Sequence, residues 1–447
     1  MRVAARVALI AVGVAASVSV TSTQSPATKT LLTQSDFVYV GAFRLPLMVG
    51  AYNGPWGRAL THRYVNGQLR FITTAYNSTS TGTTTPVYEV SSPGYSWKPP
   101  YPEASLVRVW GDVFRDANGN KKLPQTAGAT TDVFGLYWDA PTQRLYFTGG
   151  MTYWTTGGDF VSVGYSRLDE NTGKGTAAGA WGFQGRSWKF TMGGVLPIPA
   201  WFEQAYTPGK RLAAGFGGYM SSGVTSQSQG PALAAFGPNL ADYPDQSQVS
   251  NYTPLVGYPF VDPPWWVAGL SGPAIGNRAE RDTDYSGGLD SWAPHNGKGY
   301  FQWTDAIWQG GVWIDTPTKH GVIFAALLGN GNHWYGDGGT HYARASHWWY
   351  VYDPADLAAV ARGQTPQWKI QAAQRWPIQY PAVKYPLGQD DQHVPTGVTY
   401  DPTTGLLYVS VRFSGPEMEH VVHVYSVAGA GGVKVPSAPT NLRILSK

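Results

Sequence analysis

The densest group of side chains able to move protons lies between Gly329 and Tyr350. It contains His333, Trp334, Tyr335, His341, Tyr342, Arg344 and His347, and ends in Trp348-Trp349-Tyr350. Three of the chain's nine histidines fall in this stretch. Histidine, tyrosine and arginine together suit removal of a proton beside a carboxylate. Arg344 would neutralise the carboxylate of a uronic acid, His341 or Tyr342 would take the proton, and another group would donate to the leaving oxygen. That is the chemistry of β-elimination on an acidic polysaccharide, with Trp334, Tyr335 and His333 as substrate contacts. The glycines argue against regular structure in the first half, so the expectation is a loop on a rigid scaffold, where functional groups concentrate. The competing reading has these side chains bonding local backbone and Trp348-Trp349-Tyr350 packing in a strand. A metal site built from His333, His341 and His347 matches no specific ligand spacing.

A second set consists of residues that separate segments of the chain could bring together. Asp132 precedes Gly135; Asp390, Asp391 and His393 precede Gly397; and His62 lies close to Gly57. Asp282, Asp284 and Asp290 crowd one short segment. Convergent carboxylates can hydrolyse a glycosidic bond, as an acid and a nucleophile or base. They can equally hold calcium. The catalytic candidates are therefore His341, Tyr342, Arg344, His393, Asp132 and Asp391. Asp282, Asp284 and Asp290 are the metal candidates, and calcium is the one cofactor considered. The alternative is that each aspartate caps a turn on its own strand pair. Asp116-Ala117-Asn118-Gly119-Asn120 hints at a calcium loop, but Ala127 stands where the closing carboxylate belongs, so a β-turn is expected. No GxxxxGK[ST], HExxH, GxSxG or EF-hand pattern occurs.

Aromatic side chains supply the third feature. Nineteen tryptophans are present, with Trp265, Trp266, Trp292, Trp303, Trp308, Trp334, Trp348 and Trp349 clustered in the second half. Exposed aromatic faces stack on sugar rings, which adds Trp292 to the substrate contacts. Packing between sheets is the favoured account of any single tryptophan.

The elements that must position these groups are short and β-rich. The 447 residues include 55 glycines and 33 prolines, too much punctuation for long helices. Hydrophobic residues make up 43%, enough for a sizeable core, and the absence of cysteine excludes disulfides and thiolate metal sites. The formal charge is +4, falls to about +2 without Arg2 and Arg6, and includes no basic run, so nucleic acid is not an expected partner. Arg2 and Arg6 followed by the apolar Val7–Ala16 read as a signal peptide over residues 1–22, which implies export to the periplasm or beyond the cell. The apolar run is too short to span a bilayer comfortably, and no later stretch is apolar enough to do so.

A weak internal repeat organises the rest. Gly135–Phe147 and Gly397–Val409 both read strand, Asp/Pro/Thr turn, strand. Gly57–Phe71, Pro199–Leu212 and Gly311–Phe324 fit more loosely. A small residue opening the first strand lets strands crowd an axis, and aromatics on the next strand fill the wedge between sheets. Such repeats resemble the inner strands of β-propeller blades, of the kind seen in NHL-like and polysaccharide-lyase-like propellers. The resemblance implies an all-β propeller over residues 37–430, of five to six blades with five favoured and with long loops. The ring would be closed by pairing Phe37–Phe43 with Val421–Val427. A β-sandwich is the competing architecture. One helix is expected from Asp353 to Gly363, with an aspartate cap, proline at its first position and glycine at its end. Residues 23–36 read as a spacer. The tail, 431–447, resembles the start of a fibronectin type III domain.

The expected protein is thus an exported, monomeric propeller acting on a polysaccharide or cell-surface glycan, as a lyase or glycoside hydrolase at the axial funnel. A non-catalytic glycan- or protein-binding propeller is the alternative. A quinone-dependent sugar dehydrogenase is weaker, because no cofactor signature is readable.

Overall fold

The computed structural model describes residues 29–46, 59–74, 86–120, 122–123, 131–151, 161–186, 188–191, 193–216, 231–257, 306–336, 339–367, 369–381, 383, 393–412 and 420–430. Within them the chain forms five sheets arranged as the blades of a β-propeller. After the two-residue strand β1 (Thr30–Leu31) comes β2 (Phe37–Arg44), and then the blades follow in chain order. Blade 1 is β3 (Leu60–Val65), β4 (Gln68–Thr74), β5 (Pro86–Ser91) and β6 (Leu106–Asp112). Blade 2 is β7 (Thr131–Asp139), β8 (Arg144–Met151), β9 (Val163–Asp169) and β10 (Lys174–Phe183), with the short β14 (Gln248–Val249) on its edge. Blade 3 is β11 (Gly194–Pro197), β12 (Leu212–Gly215), β13 (Leu233–Phe236) and β15 (Tyr252–Val256). Blade 4 is β16 (Ala306–Asp315), β17 (Lys319–Gly336), β18 (Gly339–Tyr352) and β19 (Gln374–Ile378), joined by β1.

Blade 5 closes the ring. Its own strands are β20 (Pro395–Asp401), β21 (Leu406–Val411) and β22 (Val421–Val427), and its outer strand is β2 from the other end of the chain. The register runs antiparallel from Phe37 opposite Val427 to Arg44 opposite Val421, the pairing expected from the sequence. A cysteine-free ring is thereby held shut by backbone hydrogen bonds and the side chains on either side of them.

Each seam between blades has its own core. Trp110 and Ile72 of blade 1 meet Trp138 and Phe147 of blade 2. Trp181 and Tyr165 meet Phe236 and Leu212 across the next seam. Leu233 and Phe216 meet Phe324 and Trp348 across the third, Trp349 and Val351 meet Leu407 and Tyr425 across the fourth, and Tyr408 and Val424 meet Phe71 and Leu60 across the last. Trp348 and Trp349 alternate in β18 and so serve the two seams on either side of blade 4.

The inner strands β3, β7, β11, β16 and β20 crowd the axis, which explains their small residues. A Cβ on Gly135 would lie 2.3 Å from the Cα of Gly194 in the next blade, and one on Gly397 would lie 2.4 Å from the backbone nitrogen of Leu60. The expected inner-strand repeats appear in blades 1, 2, 4 and 5. In blade 3 the segment Pro199–Leu212 departs from expectation. Instead of a tight turn it carries a helix, α2 (Ala200–Tyr206), following the one-turn α1 (Trp188–Thr191). The expected helix is α3 (Pro354–Ala361): the Asp353 carboxylate accepts from the Ala355 N–H at 2.8 Å, and Gly363 has φ +70°. It is half-buried, with Leu357, Ala358 and Val360 packed in the seam between blades 3 and 4. No helix among the described residues is long and apolar enough to cross a membrane.

Candidate functional site

A cavity of about 280 Å³ lies on the axis, walled by all five inner strands. Its lining includes His62 from β3, Tyr137 from β7, Leu196 from β11, Trp313 and Asp315 from β16, and Thr399 and Tyr400 from β20. Pro199, Ala200 and Pro402 also line it, so it reaches the end of the ring where the inner strands finish. Tyr137, Trp313 and Thr399 each stand two residues before the aspartate that ends an inner strand. The repeat therefore puts a variable residue on the cavity wall and an aspartate at the turn.

The three turn aspartates are not free acids. Asp139 caps its own turn through Thr142 Oγ1 and receives a two-pronged ion pair from Arg211 of blade 3, at 2.7 and 2.5 Å. Asp401 accepts from the Thr403 N–H and Thr404 Oγ1 of its own turn and, at 2.7 Å, from Tyr64 Oη of blade 1. Asp315 receives Lys29 Nζ at 2.6 Å and the indole N–H of Trp201 in α2 at 3.1 Å. Asp139 and Asp401 each shape a turn and tie their blade to the next, whereas Asp315 ties blade 4 to blade 3 and leaves its turn to Thr316, whose Oγ1 accepts from the Lys319 N–H at 2.8 Å. Turn capping, the alternative for the other aspartates, describes Asp139 and Asp401, with the inter-blade tie added.

His62 completes the seam between blades 1 and 5. Its Nδ1 is 2.8 Å from Thr399 Oγ1, and its Nε2 is 3.9 Å from Asp401 Oδ1. Burial pushes its pKa below the ordinary imidazole value, against an opposing pull from Asp401, so the ring is neutral near pH 7. Burial, with Asp401 and Asp315 nearby, pushes the Tyr400 phenol up to about 12. The indole N–H of Trp313 is buried in this wall with no hydrogen-bond partner among the described residues. Buried donors are nearly always satisfied, so this one is left for a water or a ligand in the cavity.

The opposite end of the ring, where inner strands begin, carries the residues singled out from the sequence. Asp132 is the second residue of β7, and His393 stands two residues before β20. The stretch expected to be a loop is instead a β-hairpin. Beyond Leu328, the last residue of β17 paired to β16, and beyond His347, the first of β18 paired to β19, the two strands continue paired only to each other. His333 stands opposite Tyr342, Trp334 opposite His341, Tyr335 opposite Thr340 and Asn330 opposite Arg344. At about 3.4 Å per residue this arm reaches roughly 25 Å past the blade. Cross-strand pairing overrides the breaking tendency of its glycines. His393 is linked to the base of the arm, because its carbonyl faces Nε2 of the buried His347. Asp391, Trp292, Asp282, Asp284 and Asp290 lie outside the described residues. Among the described residues no cluster of metal-ligating side chains occurs. Asp116 accepts from the backbone N–H groups of Asn118 and Asn120 at 2.9 and 2.8 Å, and Lys122 sits 3.0 Å from its carboxylate, so a lysine holds the cation's place in that turn.

No protein-family model matches the chain, and no curated protein sequence matches it significantly. Solved structures similar to it include a member of the DUF4221 family from Bacteroides vulgatus, at 9% identity and TM-score 0.33 over 88% of this chain and 99% of that one. The catalytic domain of the GH62 α-L-arabinofuranosidase of Coprinopsis cinerea is similar at 10% identity and TM-score 0.30, over 88% of this chain and 99% of that one. The leech intramolecular trans-sialidase is similar at 10% identity and TM-score 0.30, over 83% of this chain and 43% of that one. Likenesses of this degree bear on no activity.

Proposed function

We propose that the protein is an exported glycan-handling propeller that holds a neutral sugar unit in its axial cavity. The observation that carries this reading is the unpartnered indole N–H of Trp313 in a wall that also presents Tyr137, Tyr400, Thr399 and Asp315. A sugar ring offers apolar C–H faces to such aromatics and hydroxyls to such donors and acceptors, and the cavity is near the lower size limit of small-ligand sites. Among the described residues no arginine or lysine lines the cavity and Asp315 does, which favours a neutral sugar over a uronic acid. Asp315 and Asp401 already accept from Lys29, Trp201, Tyr64 and turn hydroxyl and amide groups, which favours holding a sugar over cleaving one at this end. The test is calorimetric titration with glucose, galactose, mannose, xylose, arabinose and the matching uronic acids. Trp313→Phe keeps an aromatic face, though a smaller one, and deletes the donor, and should weaken binding roughly two- to tenfold. Absence of binding, or preference for the uronic acids, would overturn the proposal.

A second reading is supported by the topology at the other end. Asp132, His393 and the arm bearing His341, Tyr342 and Arg344 come from blades 2, 5 and 4 and share one end of the ring. Elimination or hydrolysis of a polysaccharide there would release unsaturated uronate or new reducing ends. His341→Ala and Arg344→Ala should abolish that release, and absence of any release across acidic and neutral polysaccharides leaves binding as the function. Export is tested by recovering the protein outside the cytoplasm when it is made with its own N-terminus.

A further inference from the structure

We infer that Trp201 forms a second subsite, a stacking platform for the next sugar of a chain whose terminal unit occupies the axial cavity. This rests on the reading of that cavity as a sugar site. Among the tryptophans whose side chains the structure describes, Trp201 is the one that counts as exposed, at 37%. It follows Pro199 and Ala200, which line the cavity, so it stands at the cavity's end of the ring. Its ring is fixed rather than loose. The indole N–H donates to Asp315, itself a wall residue, at 3.1 Å, and the ring packs edge-on to Phe202 at 5.5 Å and lies beside His320 at 6.1 Å. Phe202 anchors the same helix inside, edge-on to Trp313 at 4.7 Å.

Packing alone would bury an indole of this size, as it does Trp110, Trp313 and Trp349. Trp201 instead keeps much of its surface in water while its polar edge is used up by Asp315. What it offers is an oriented, apolar aromatic surface with little conformational freedom left to lose on binding. A sugar's C–H face matches that surface, and the covalent link to a unit already held in the cavity raises its effective concentration there. The ligand class is therefore the end of a neutral oligosaccharide rather than a free monosaccharide.

The experiment compares each monosaccharide of the neutral panel with its homodisaccharide, by calorimetry, on the unaltered chain and on Trp201→Ala and Trp201→Phe. The expected result is about tenfold tighter binding of the disaccharide, a gain lost in Trp201→Ala, largely kept in Trp201→Phe, with monosaccharide affinity unchanged in both. Equal affinity for mono- and disaccharide, or an equal loss for both in Trp201→Ala, would overturn the platform while leaving the cavity reading intact. Binding of no sugar at all would overturn both. Should Trp201→Ala fail to fold, the indole ¹⁵N–¹H resonance absent from Trp201→Phe serves in the unaltered chain. It should move on adding the disaccharide and stay in place with the monosaccharide, and an unmoved resonance with bound disaccharide overturns the platform.

Discussion

The ion pair between Asp139 and Arg211 offers a sharp test of how the blades are held together. Asp139 is fully buried at the end of an inner strand, while the side chain of Arg211 keeps 28% of its surface in water. The two substitutions should therefore be unequal, because the cost of breaking a buried pair is mostly the cost of the charge left behind. Arg211→Met strands a carboxylate where water does not reach and should cost about 4 kcal/mol, within the usual range for such a loss. Asp139→Asn leaves a guanidinium that can turn towards solvent and still bond the amide oxygen, and should cost about 2 kcal/mol. Carrying both changes should cost about 2 to 3 kcal/mol, far below the sum, giving a coupling of about 3 kcal/mol. For a domain of about 400 residues the unfolding entropy is on the order of 0.8 kcal/mol per kelvin, so Arg211→Met should lower the melting temperature by about 5 °C. Denaturant titration of the four proteins in the cycle reads these differences. Strict additivity, or a larger loss for Asp139→Asn than for Arg211→Met, would refute the claim that the turn aspartate acts as an inter-blade tie.

Three further outcomes follow from the same structure. Gly397→Ala should destabilise by about 1 to 3 kcal/mol or prevent folding, because its methyl would meet the backbone of Leu60 at the closing seam, whereas Gly67→Ala, with open space beside it, should cost only what its φ of +76° imposes. The buried His347 and His423 should make the fold acid-sensitive: burial lowers their pKa values to about 4 and about 3, so the unfolded chain takes up their protons first. Stability should therefore be intact above pH ~6.5 and fall by up to about 1.4 kcal/mol per pH unit for each histidine below it, with the slope reduced in His423→Asn; an unchanged slope in that variant would sink the assignment. Deleting residues 1–44 removes the outer strand of blade 5 and bares the edge of β22, and the product should aggregate or fail to fold when compared with the intact chain by gel filtration and circular dichroism.

What could be read from the amino-acid order was the part written in short range. The hairpin at Asp139–Arg144 and its partner at Asp401–Leu406 are specified by Asp, Pro, Thr and Gly within a few residues, and each folds as expected. The closing pair of β2 and β22 was also legible, since a ring without cysteine has few other ways to shut. Two features depart from expectation for identifiable reasons. Pro199 and Gly209 bracket Trp201–Tyr206 as helix start and stop signals do, but their spacing also suits a wide turn. Gly329, Gly331 and Gly336 look like breakers locally, and only the pairing of β17 with β18 makes strands of them. The partners of Asp139, Asp315 and Asp401 were beyond reach, because Arg211, Trp201 and Tyr64 are 72, 114 and 337 residues away.

The two ends of the ring divide the functional question. Where the inner strands finish, Asp139 and Asp401 are spent on holding their own hairpins and the next blade, and Asp315 on Lys29 and on Trp201 of the preceding blade, so their identity answers to architecture. The residue two places earlier faces the cavity, with Thr399 also bonded to His62 across the closing seam and Trp313 packed against Phe202. Tyr137, Trp313 and Thr399 occupy that place in blades 2, 4 and 5 and differ in size, polarity and donor chemistry. One repeat can thus keep the ring intact while changing what the axis binds, which is how a symmetric scaffold acquires an asymmetric pocket. The sequence signal for this pocket was already inside the repeat, one period-two step before the aspartate that defines it. The residues whose types suggest catalysis precede each inner strand and so lie at the other end. Trp313→Phe and Arg211→Met separate the two roles: the first should alter binding at a stability cost of about 1 to 2 kcal/mol for the smaller ring, the second should cost about 4 kcal/mol while the folded fraction binds as before. If Trp313→Phe destabilises the ring as much as Arg211→Met does, the cavity wall is architecture too, and the division between tie and wall does not hold.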